Sequence, residues 1–272
     1  MRHAVCVIGF GDHAYVLQKT INILDNKNID FFVHWDARYK IPRLHSKLSE
    51  ISYVKDRIPV KWGAQGQIQA TLKLLKLVHK HSFYDYVHLI SCNDVPLMTS
   101  NYFIDYFTNE VYLGFNDHFS NDELKKRLGF YYPLNMDFKK HGITTKIEKL
   151  GNIIFKINRV KYYPEIRFKK GPQWFSIKSK YVSEILNFNN SIFMHGYCAD
   201  ELFVQTILGR FEAQEPKNDN DNFQAARYID WNRGTPYVFT SKDVDELRSK
   251  VNTQFAFARK VSDPSIVDSI FR

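Results

Sequence analysis

The sequence predicts an α/β fold with a Rossmann-like, mostly parallel central sheet flanked by helices. Strand-like and helix-like segments alternate along the first half of the chain, which is typical of parallel strands joined by crossover helices. The 272 residues are 44% hydrophobic, enough apolar material for a sizeable core. No long polar linker divides the chain, so we expect a single domain over residues 1–272.

The first half, residues 1–115, carries the segments that define the sheet. Alternating or continuous apolar residues predict strands, and apolar residues at helical spacing predict helices. The predicted strands are residues 3–10, 29–36, 52–60 and 84–92, and the predicted helices are residues 14–26 and 65–81. Because parallel sheets bind ligands beyond the carboxyl ends of their strands, residues that follow each strand are candidates for a functional site.

The second half, residues 116–272, has a different character. Its basic stretch at about 139–170 has apolar residues at helical spacing, and it either packs over the sheet as an insertion or rests on an anionic membrane. Beyond this stretch, the pattern predicts a strand at residues 173–177 and helices at residues 179–188, 197–211 and 241–250.

The composition excludes disordered, fibrous and disulfide-rich classes. A net charge of +9 points to an anionic partner, which is a nucleic acid, an acidic membrane surface or a phosphorylated small molecule. The three cysteines, Cys6, Cys92 and Cys198, lie far apart and are expected to be buried and reduced. No apolar run reaches the roughly 18–20 residues of a membrane span, and no signal peptide precedes the first strand, so we expect a cytoplasmic protein.

A glycine-rich turn follows the first strand. Gly9-x-Gly11-x-x-Ala14, with Asp36 at the end of the second strand, meets the loose form of the dinucleotide-binding fingerprint. The pattern is equally compatible with a tight turn that binds no nucleotide. An NAD-dependent oxidoreductase is therefore one alternative.

A pair of acidic residues begins a later helix. Asp200 and Glu201 are explained either by their favourable interaction with the helix dipole or by the need for a general base, and the spacing does not decide between the two.

Seven short segments follow one another along the chain: His34-Trp35-Asp36, Val60-Lys61-Trp62-Gly63, Cys92-Asn93-Asp94-Val95-Pro96-Leu97, Gly171-Pro172-Gln173-Trp174-Phe175, Asp200-Glu201, Trp231-Asn232-Arg233-Gly234 and Phe257-Ala258-Arg259-Lys260. In this order they resemble the core-2/I-branching β-1,6-N-acetylglucosaminyltransferase family, which includes the peptide xylosyltransferases. The resemblance covers most of the chain.

This resemblance implies a GT-A-type glycosyltransferase fold and an inverting transfer from a UDP-sugar, by default UDP-N-acetylglucosamine, to a glycan acceptor without a divalent metal. The sequence agrees with the last point, because Cys92-Asn93-Asp94 supplies one carboxylate where a metal-binding Asp-x-Asp would stand. Two Asp-x-Asp strings elsewhere, at residues 219–221 and 243–245, are better explained as turn or capping residues.

The same resemblance implies roles for individual residues. Glu201 is the expected catalytic base. The expected contacts to the nucleotide sugar are Gly9, Phe10, Asp36, Asp94, Arg259 and Lys260, and those to the acceptor are Arg127, Trp174, Trp231 and Arg233. Lys260 is expected on the diphosphate, and Arg233, Lys242 and Arg259 compete for the place of a second cation.

The absence of the animal enzymes' membrane anchor, stem and numerous cysteines suggests a bacterial enzyme. Such an enzyme would extend a surface polysaccharide, as in a capsule or exopolysaccharide, or a lipid-linked oligosaccharide, with the stretch at 139–170 on the inner leaflet. No nucleic-acid partner is expected, because the aromatic residues fall in predicted core elements and no nucleic-acid-binding motif occurs.

Overall fold

Two sheets organise the protein. The computed structural model describes residues 1–81, 83–116, 119–212 and 221–272. The strands of these residues are β1 His3–Gly9, β2 Ile29–Trp35, β3 Ile51–Tyr53, β4 Tyr86–Ser91, β5 Asp94–Pro96, β6 Val111–Tyr112, β7 Ser176–Lys178, β8 Arg227–Ile229 and β9 Phe257–Arg259.

The larger sheet has the strand order β3-β2-β1-β4-β7-β6. The first four strands in this order are parallel, with Ile8 of β1 in register with both His34 of β2 and Ser91 of β4. Strands β7 and β6 extend the sheet in antiparallel fashion. The predicted α/β fold with a mostly parallel central sheet is confirmed, and strands from both halves of the chain build it.

Helices cover both faces of this sheet. They are α1 Tyr15–Leu24, α2 Gly66–His81, α3 Ser100–Tyr106, α4 Asn121–Leu124, α5 Gly142–Ile154, α6 Val182–Asn187, α7 Asp200–Ile207, α8 Asp221–Gln224, α9 Val244–Arg248 and α10 Pro264–Ile270. Helix α4 continues into a π-helical turn, Lys125–Gly129. No helix in the described part of the chain is long and apolar enough to cross a bilayer.

Strand β1 shows why helices are needed on both faces. Its side chains alternate between two core clusters: Ala4, Cys6 and Ile8 face the cluster that contains residues of α2, α6 and α7, whereas Val5 and Val7 face the one that contains residues of α1 and α3. A strand that is buried on both sides reads as a continuous apolar run, as residues 3–9 do.

The smaller sheet, in the order β5-β9-β8, lies beyond the carboxyl end of β4. Strand β9 pairs in antiparallel fashion with β5, which places Arg259 opposite Asp94, and in parallel fashion with β8, which places Arg259 beside Ile229. The end of the chain is thereby brought to the edge of the main sheet where β4 ends.

Several predicted elements are shorter than the sequence pattern suggests. The helix predicted at residues 197–211 is α7, Asp200–Ile207, followed by a 3₁₀ turn, Gly209–Phe211. The strand predicted at residues 52–60 has ladder pairing only over Ile51–Tyr53, and its later part makes isolated contacts with β2, such as the Ile58 amide donating to His34 Nε2 at 3.2 Å. The helix predicted at residues 241–250 is a 3₁₀ turn, Ser241–Asp243, followed by α9. Asp243, in the Asp-x-Asp string at residues 243–245, forms a capping box with Thr240, as expected of a capping residue. In the Asp-x-Asp string at residues 219–221, Asp219 and Asn220 lie outside the described residues.

Gly9, the last residue of β1, packs against the indole of Trp35. A Cβ atom at Gly9 would lie 2.1 Å from Cε3 of Trp35. The indole cannot move aside easily, because it is fully buried and its Nε1 donates to the Gly11 carbonyl at 3.0 Å. This position therefore requires glycine for packing, whatever else it does.

We expect Gly9→Ala to lower the free energy of unfolding by about 1–3 kcal/mol, the usual effect of overpacking a core. Urea denaturation followed by circular dichroism measures the change. Gly142→Ala in α5 is the matched control, because nothing lies within 4 Å of a Cβ at that position. Equal unfolding midpoints for Gly9→Ala and the wild type would contradict this account.

Candidate active site

The carboxyl ends of β1, β2 and β4 meet at one edge of the main sheet. Gly9 ends β1 and Phe10 follows it, Asp36 follows β2, and Cys92 to Asp94 follow β4. The ends of β1 and β2 are in contact, since the Asp36 amide donates to the Gly9 carbonyl at 2.8 Å. Phe10 is about half exposed beside them. The sequence-predicted nucleotide-sugar residues of the first half therefore do come together.

Asp36 is fully buried and engaged by Arg38. The Arg38 Nη2 lies 2.6 Å from Asp36 Oδ2, its Nε lies 3.1 Å from both carboxylate oxygens, and its backbone amide donates to Oδ1 at 2.9 Å. Hydrogen bonding to Asp36 raises the pKa of the Arg38 guanidinium. Arg38 was missed by sequence reasoning, although its place two residues after a strand-ending Asp is a usable signal.

Arg57 also stabilises the loop that follows β2. Its Nη1 donates to three backbone carbonyls, those of Trp35 at 3.2 Å, Asp36 at 3.3 Å and Tyr39 at 3.0 Å. It lies in the segment predicted as a strand, and no local pattern marks it as a residue of the site.

Asp94 connects the main sheet to β9. Its buried carboxylate accepts hydrogen bonds from the Ser91 amide at 2.7 Å, the Ser91 hydroxyl at 2.9 Å and Arg259 Nη1 at 2.8 Å. The Arg259 guanidinium also lies 4.3 Å from the ring centroid of Trp174, which is a cation–π contact. Asp94 thus acts on the site by positioning Arg259, and Trp174 lies buried on the Arg259 side of the site.

Lys260, the next residue, keeps a free ammonium group. Its Nζ has no hydrogen bond or ion pair with any residue in the described ranges, and the side chain is partly exposed. Burial lowers its pKa, and the positive charges of Arg259 and Lys139 lower it further. A cation held near other cations, without a carboxylate partner, is suited to binding an anion.

Glu201 lies in the first turn of α7 and pairs with Arg127. Arg127 Nη1 lies 2.7 Å from Glu201 Oε2, and it also donates to the Cys198 carbonyl at 3.1 Å. The Nε of the same guanidinium lies 2.8 Å from Glu123 Oε1, which Lys170 also contacts. The Glu201 side chain is 36% exposed, so its carboxylate is oriented by Arg127 and still open to a substrate.

Asp200 differs sharply from its neighbour. It is buried beside Gln173 and Phe175, its Oδ1 has no hydrogen-bond partner among the residues that the structure describes, and it does not cap α7. Burial raises its pKa to about 7, and the charge of Glu201 contributes to the increase. The structure therefore separates the two acids into an accessible carboxylate and a buried one.

Trp231 and Arg233 follow β8, next to the end of β9. Trp231 is 49% exposed, and its Nε1 donates to Asn222 Oδ1 at 3.1 Å, so one face of the indole is open. Arg233 is engaged by three acids, with ion pairs to Asp230, to Asp243 at 2.9 Å and to Glu246 at 2.7 Å. Hydrogen bonds to Asp230 and Glu246 raise its pKa. Arg233 consequently braces the Trp231 loop.

The segment Gly171–Trp174 links the residues around Glu201 to those around Arg259. The Gly171 amide donates to the Glu201 carbonyl at 2.9 Å, and Trp174 contacts Arg259. The loop before α7 also contacts the segment before α2, because the Cys198 amide donates to the Gly63 carbonyl at 2.8 Å. Next to Gly63, the Trp62 ring makes a cation–π contact with the Lys139 ammonium, 4.6 Å from the ring centroid. Lys139 was not singled out from the sequence.

Among the described residues, no group of three or more His, Cys, Asp or Glu side chains is arranged to hold a metal ion. All three cysteines are free and buried, as predicted, and burial raises the pKa of each thiol.

A sequence model of the Core-2/I-branching enzyme family matches residues 14–250. The match spans most of the chain and confirms the resemblance drawn from the seven segments. It includes Asp36, Asp94, Arg127, Glu201 and Trp231, and it leaves out β1 and β9. No curated protein matches the chain.

The buried Asp200 predicts a pH dependence of stability. An Asp in an unfolded chain titrates near pH 3.9, and the folded-state pKa of about 7 lies above that value. The native state therefore binds the proton more strongly, and this residue's contribution to stability falls as the pH rises from about 4 to about 7. Asp200→Asn lacks this titration.

We expect the stability of Asp200→Asn relative to the wild type to increase by about 1–3 kcal/mol between about pH 5 and about pH 8. Urea denaturation at a series of pH values measures this difference in unfolding free energy. The contribution of the buried histidines is the same in both proteins, so it cancels in the difference. Asp12→Asn, at an exposed carboxyl, is the control and should show a flat difference. A flat difference for Asp200→Asn would contradict the prediction.

Proposed function

The chain belongs to the Core-2/I-branching enzyme family of glycosyltransferases, and we propose that it transfers N-acetylglucosamine from its UDP derivative, with inversion, to a glycan hydroxyl. Enzymes of this family use a UDP-sugar donor and need no metal ion. Family membership decides against the dehydrogenase alternative for the glycine-rich turn. One observation carries the proposal: the segment Gly171–Trp174 links an accessible carboxylate, Glu201, to the end of β9, where the Lys260 ammonium has no partner among the described residues.

We assign the donor nucleotide to the loops after β1 and β2. The exposed ring of Phe10 and the backbone at Gly9 offer a surface for the uracil base. Asp36 is fully buried and both its oxygens are engaged by Arg38, so we assign Asp36 to shaping the loop that contacts the uridine.

The diphosphate is assigned to Lys260 and Arg259. As the bond between the anomeric carbon and the diphosphate breaks, negative charge develops on the leaving oxygen, and fixed cations stabilise it without a metal. Arg259 is better placed than Arg233 as the second cation, because its Nη1 alone has a hydrogen-bond partner among the described residues, whereas Arg233 is neutralised by three acids.

The acceptor side is assigned to Glu201, Arg127 and Trp231. An open indole face suits the apolar face of a sugar ring, and Trp231 presents one. In the proposed step, the acceptor hydroxyl gives its proton to Glu201, its oxygen attacks the anomeric carbon, and the electron pair of the breaking bond leaves with the diphosphate. Arg127 orients the Glu201 carboxylate for this role, and Arg233 and Trp174 support the neighbouring loops.

We further propose that the acceptor is part of a bacterial surface polysaccharide or a lipid-linked oligosaccharide, extended in the cytoplasm. Three free, buried cysteines suit a reducing compartment. A lipid-linked acceptor also fits the exposed apolar side chains of α5.

Glu201→Gln tests the assignment of the base. The amide still accepts a hydrogen bond from Arg127, so the protein should fold and bind UDP normally. Transfer should fall about 10²–10⁴-fold, the usual contribution of a general base. Release of UDP from UDP-N-acetylglucosamine in the presence of glycan acceptors measures turnover, and calorimetry measures binding.

Glu165→Gln, at an exposed glutamate outside the site, is the matched control and should keep wild-type turnover. If Glu201→Gln turned over within a few-fold of the wild type, Glu201 would not be the base.

Lys260→Met tests the assignment of the diphosphate site. Losing a charged hydrogen bond should weaken UDP binding about 10–100-fold, and turnover should fall further because the leaving group loses a fixed charge. Lys27→Met, in the turn before β2 at the opposite edge of the sheet, should change neither quantity. Unchanged UDP affinity in Lys260→Met would remove Lys260 from the site.

A parallel titration of the wild type with UDP and NAD checks the nucleotide class. Binding of UDP without measurable binding of NAD is expected, and preferential binding of NAD would overturn the donor proposal.

A further inference from the structure

Helix α5 turns its apolar side chains away from the protein. Ile143, Ile147, Leu150 and Ile154 recur at spacings of three and four residues and form one stripe along the helix. Together with Ile153 and Phe155 they are between 57% and 78% exposed. An ordinary surface helix buries such a stripe against the core, so the orientation of α5 is the reverse of the usual one.

Polar contacts fix this orientation. Asn152, on the opposite face of α5, is buried and bonds to both backbone groups of Tyr131: its Nδ2 donates to the carbonyl at 2.9 Å, and its Oδ1 accepts from the amide at 2.6 Å. Thr145 is buried on the same face. The inward face is thus polar and bonded to the protein, and rotating the helix to bury its isoleucines would break these bonds.

Unpaired positive charges surround the apolar stripe. Residues 139–170 contain ten Lys and Arg against two Glu. Five exposed lysines have no ion pair with any residue of the described segments: Lys139, Lys140, Lys146, Lys156 and Lys161. Tyr162, beyond the helix, is also 81% exposed. A helix that combines an exposed apolar face with flanking lysines and an amphipathic aromatic suits the interface of an anionic bilayer.

We propose that α5 and the chain that follows it to Tyr162 form a membrane-docking surface for anionic lipid headgroups. The isoleucines, Leu150 and Phe155 enter the boundary between headgroups and acyl chains, and the lysines contact the phosphates. A second copy of this chain would bring the same positive charges together, so the charge favours a lipid surface over self-association.

The docking surface adjoins the candidate active site. The Phe138 amide donates to the Trp62 carbonyl at 3.2 Å, Lys139 lies over the Trp62 ring, and Lys149 lies 5.1 Å from the ring centroid of Tyr197, four residues before Glu201. Docking therefore holds this side of the site close to the lipid surface, within reach of a lipid-linked acceptor. The choice of acceptor rests on the proposed function, whereas lipid binding itself does not.

Flotation with vesicles tests the proposal. The wild type should float with vesicles of equal parts phosphatidylglycerol and phosphatidylcholine at low salt. Its affinity for phosphatidylcholine alone, or for the mixed vesicles at high salt, should be at least about tenfold lower. The doubly substituted variant Ile147→Ser, Leu150→Ser and the variant Lys140→Glu, Lys146→Glu should each lose at least about tenfold in affinity for the mixed vesicles.

Phe83→Ser and Lys27→Glu, which alter exposed apolar and basic residues at the other edge of the sheet, are the matched controls and should bind like the wild type. Glu201→Gln should also bind normally, so a failure of the proposed chemistry is distinguishable from a failure of docking. All substituted side chains are exposed except Glu201, and unchanged thermal unfolding confirms that each variant is folded.

Three outcomes would overturn the proposal: no flotation of the wild type with anionic vesicles at low salt, equal binding by the α5 variants and the controls, or a dimer in light scattering that Ile147→Ser, Leu150→Ser dissociates while lipid binding stays absent.

Discussion

The buried carboxylate of Asp94 is the interaction on which the site depends. It accepts two hydrogen bonds from Ser91, which fix the turn between β4 and β5, and one from Arg259, which fixes the end of β9. A fully buried charge is tolerated only when it is paired and hydrogen-bonded, and Asp94 satisfies both conditions. Because Lys260 follows Arg259 directly, this carboxylate, together with the pairing of β9 with β5 and β8, determines where the Lys260 ammonium group stands relative to the main sheet.

The distribution of positive charge matters more than its total. Arg38, Arg127 and Arg233 each face at least one carboxylate, so they orient loops or neighbouring acids and contribute little net field. Lys260 and the lysines around α5 have no acidic partner among the described residues. Residues 139–170 contain ten Lys and Arg against two Glu, so much of the excess positive charge lies where a lipid surface is proposed to bind, and Lys260 adds a positive charge where a diphosphate is proposed to bind.

Much of the fold was predictable because strands buried on both faces and regular amphipathic helices leave clear periodic patterns. The predictions for β1, β2, α2 and β4 agree with the structure to within two residues at each end. The 52–60 strand was overextended, since the pattern does not reveal that no neighbouring strand pairs with its later residues. In the site, the sequence placed Asp36 and Asp94 at one edge and named Arg259 as a nucleotide-sugar contact, but it did not reveal that Arg259 pairs with Asp94 or that Arg38 pairs with Asp36. Periodicity identified the helix in 139–170 and not which of its faces meets the protein.

Adjacent carboxylates with opposite surroundings explain why only one of the acids at the start of α7 is suited to proton transfer. In the first turn of a helix, consecutive side chains point about 100° apart, so Asp200 enters the core while Glu201 reaches the site edge. Burial raises the pKa of Asp200 to about 7, so Asp200 is partly protonated near pH 7 and places less than a full negative charge beside Glu201. Arg127 then faces a single accessible carboxylate, and Glu123 and Lys170 hold that guanidinium in place. The helix geometry, rather than the choice of acid, assigns the two residues to different tasks.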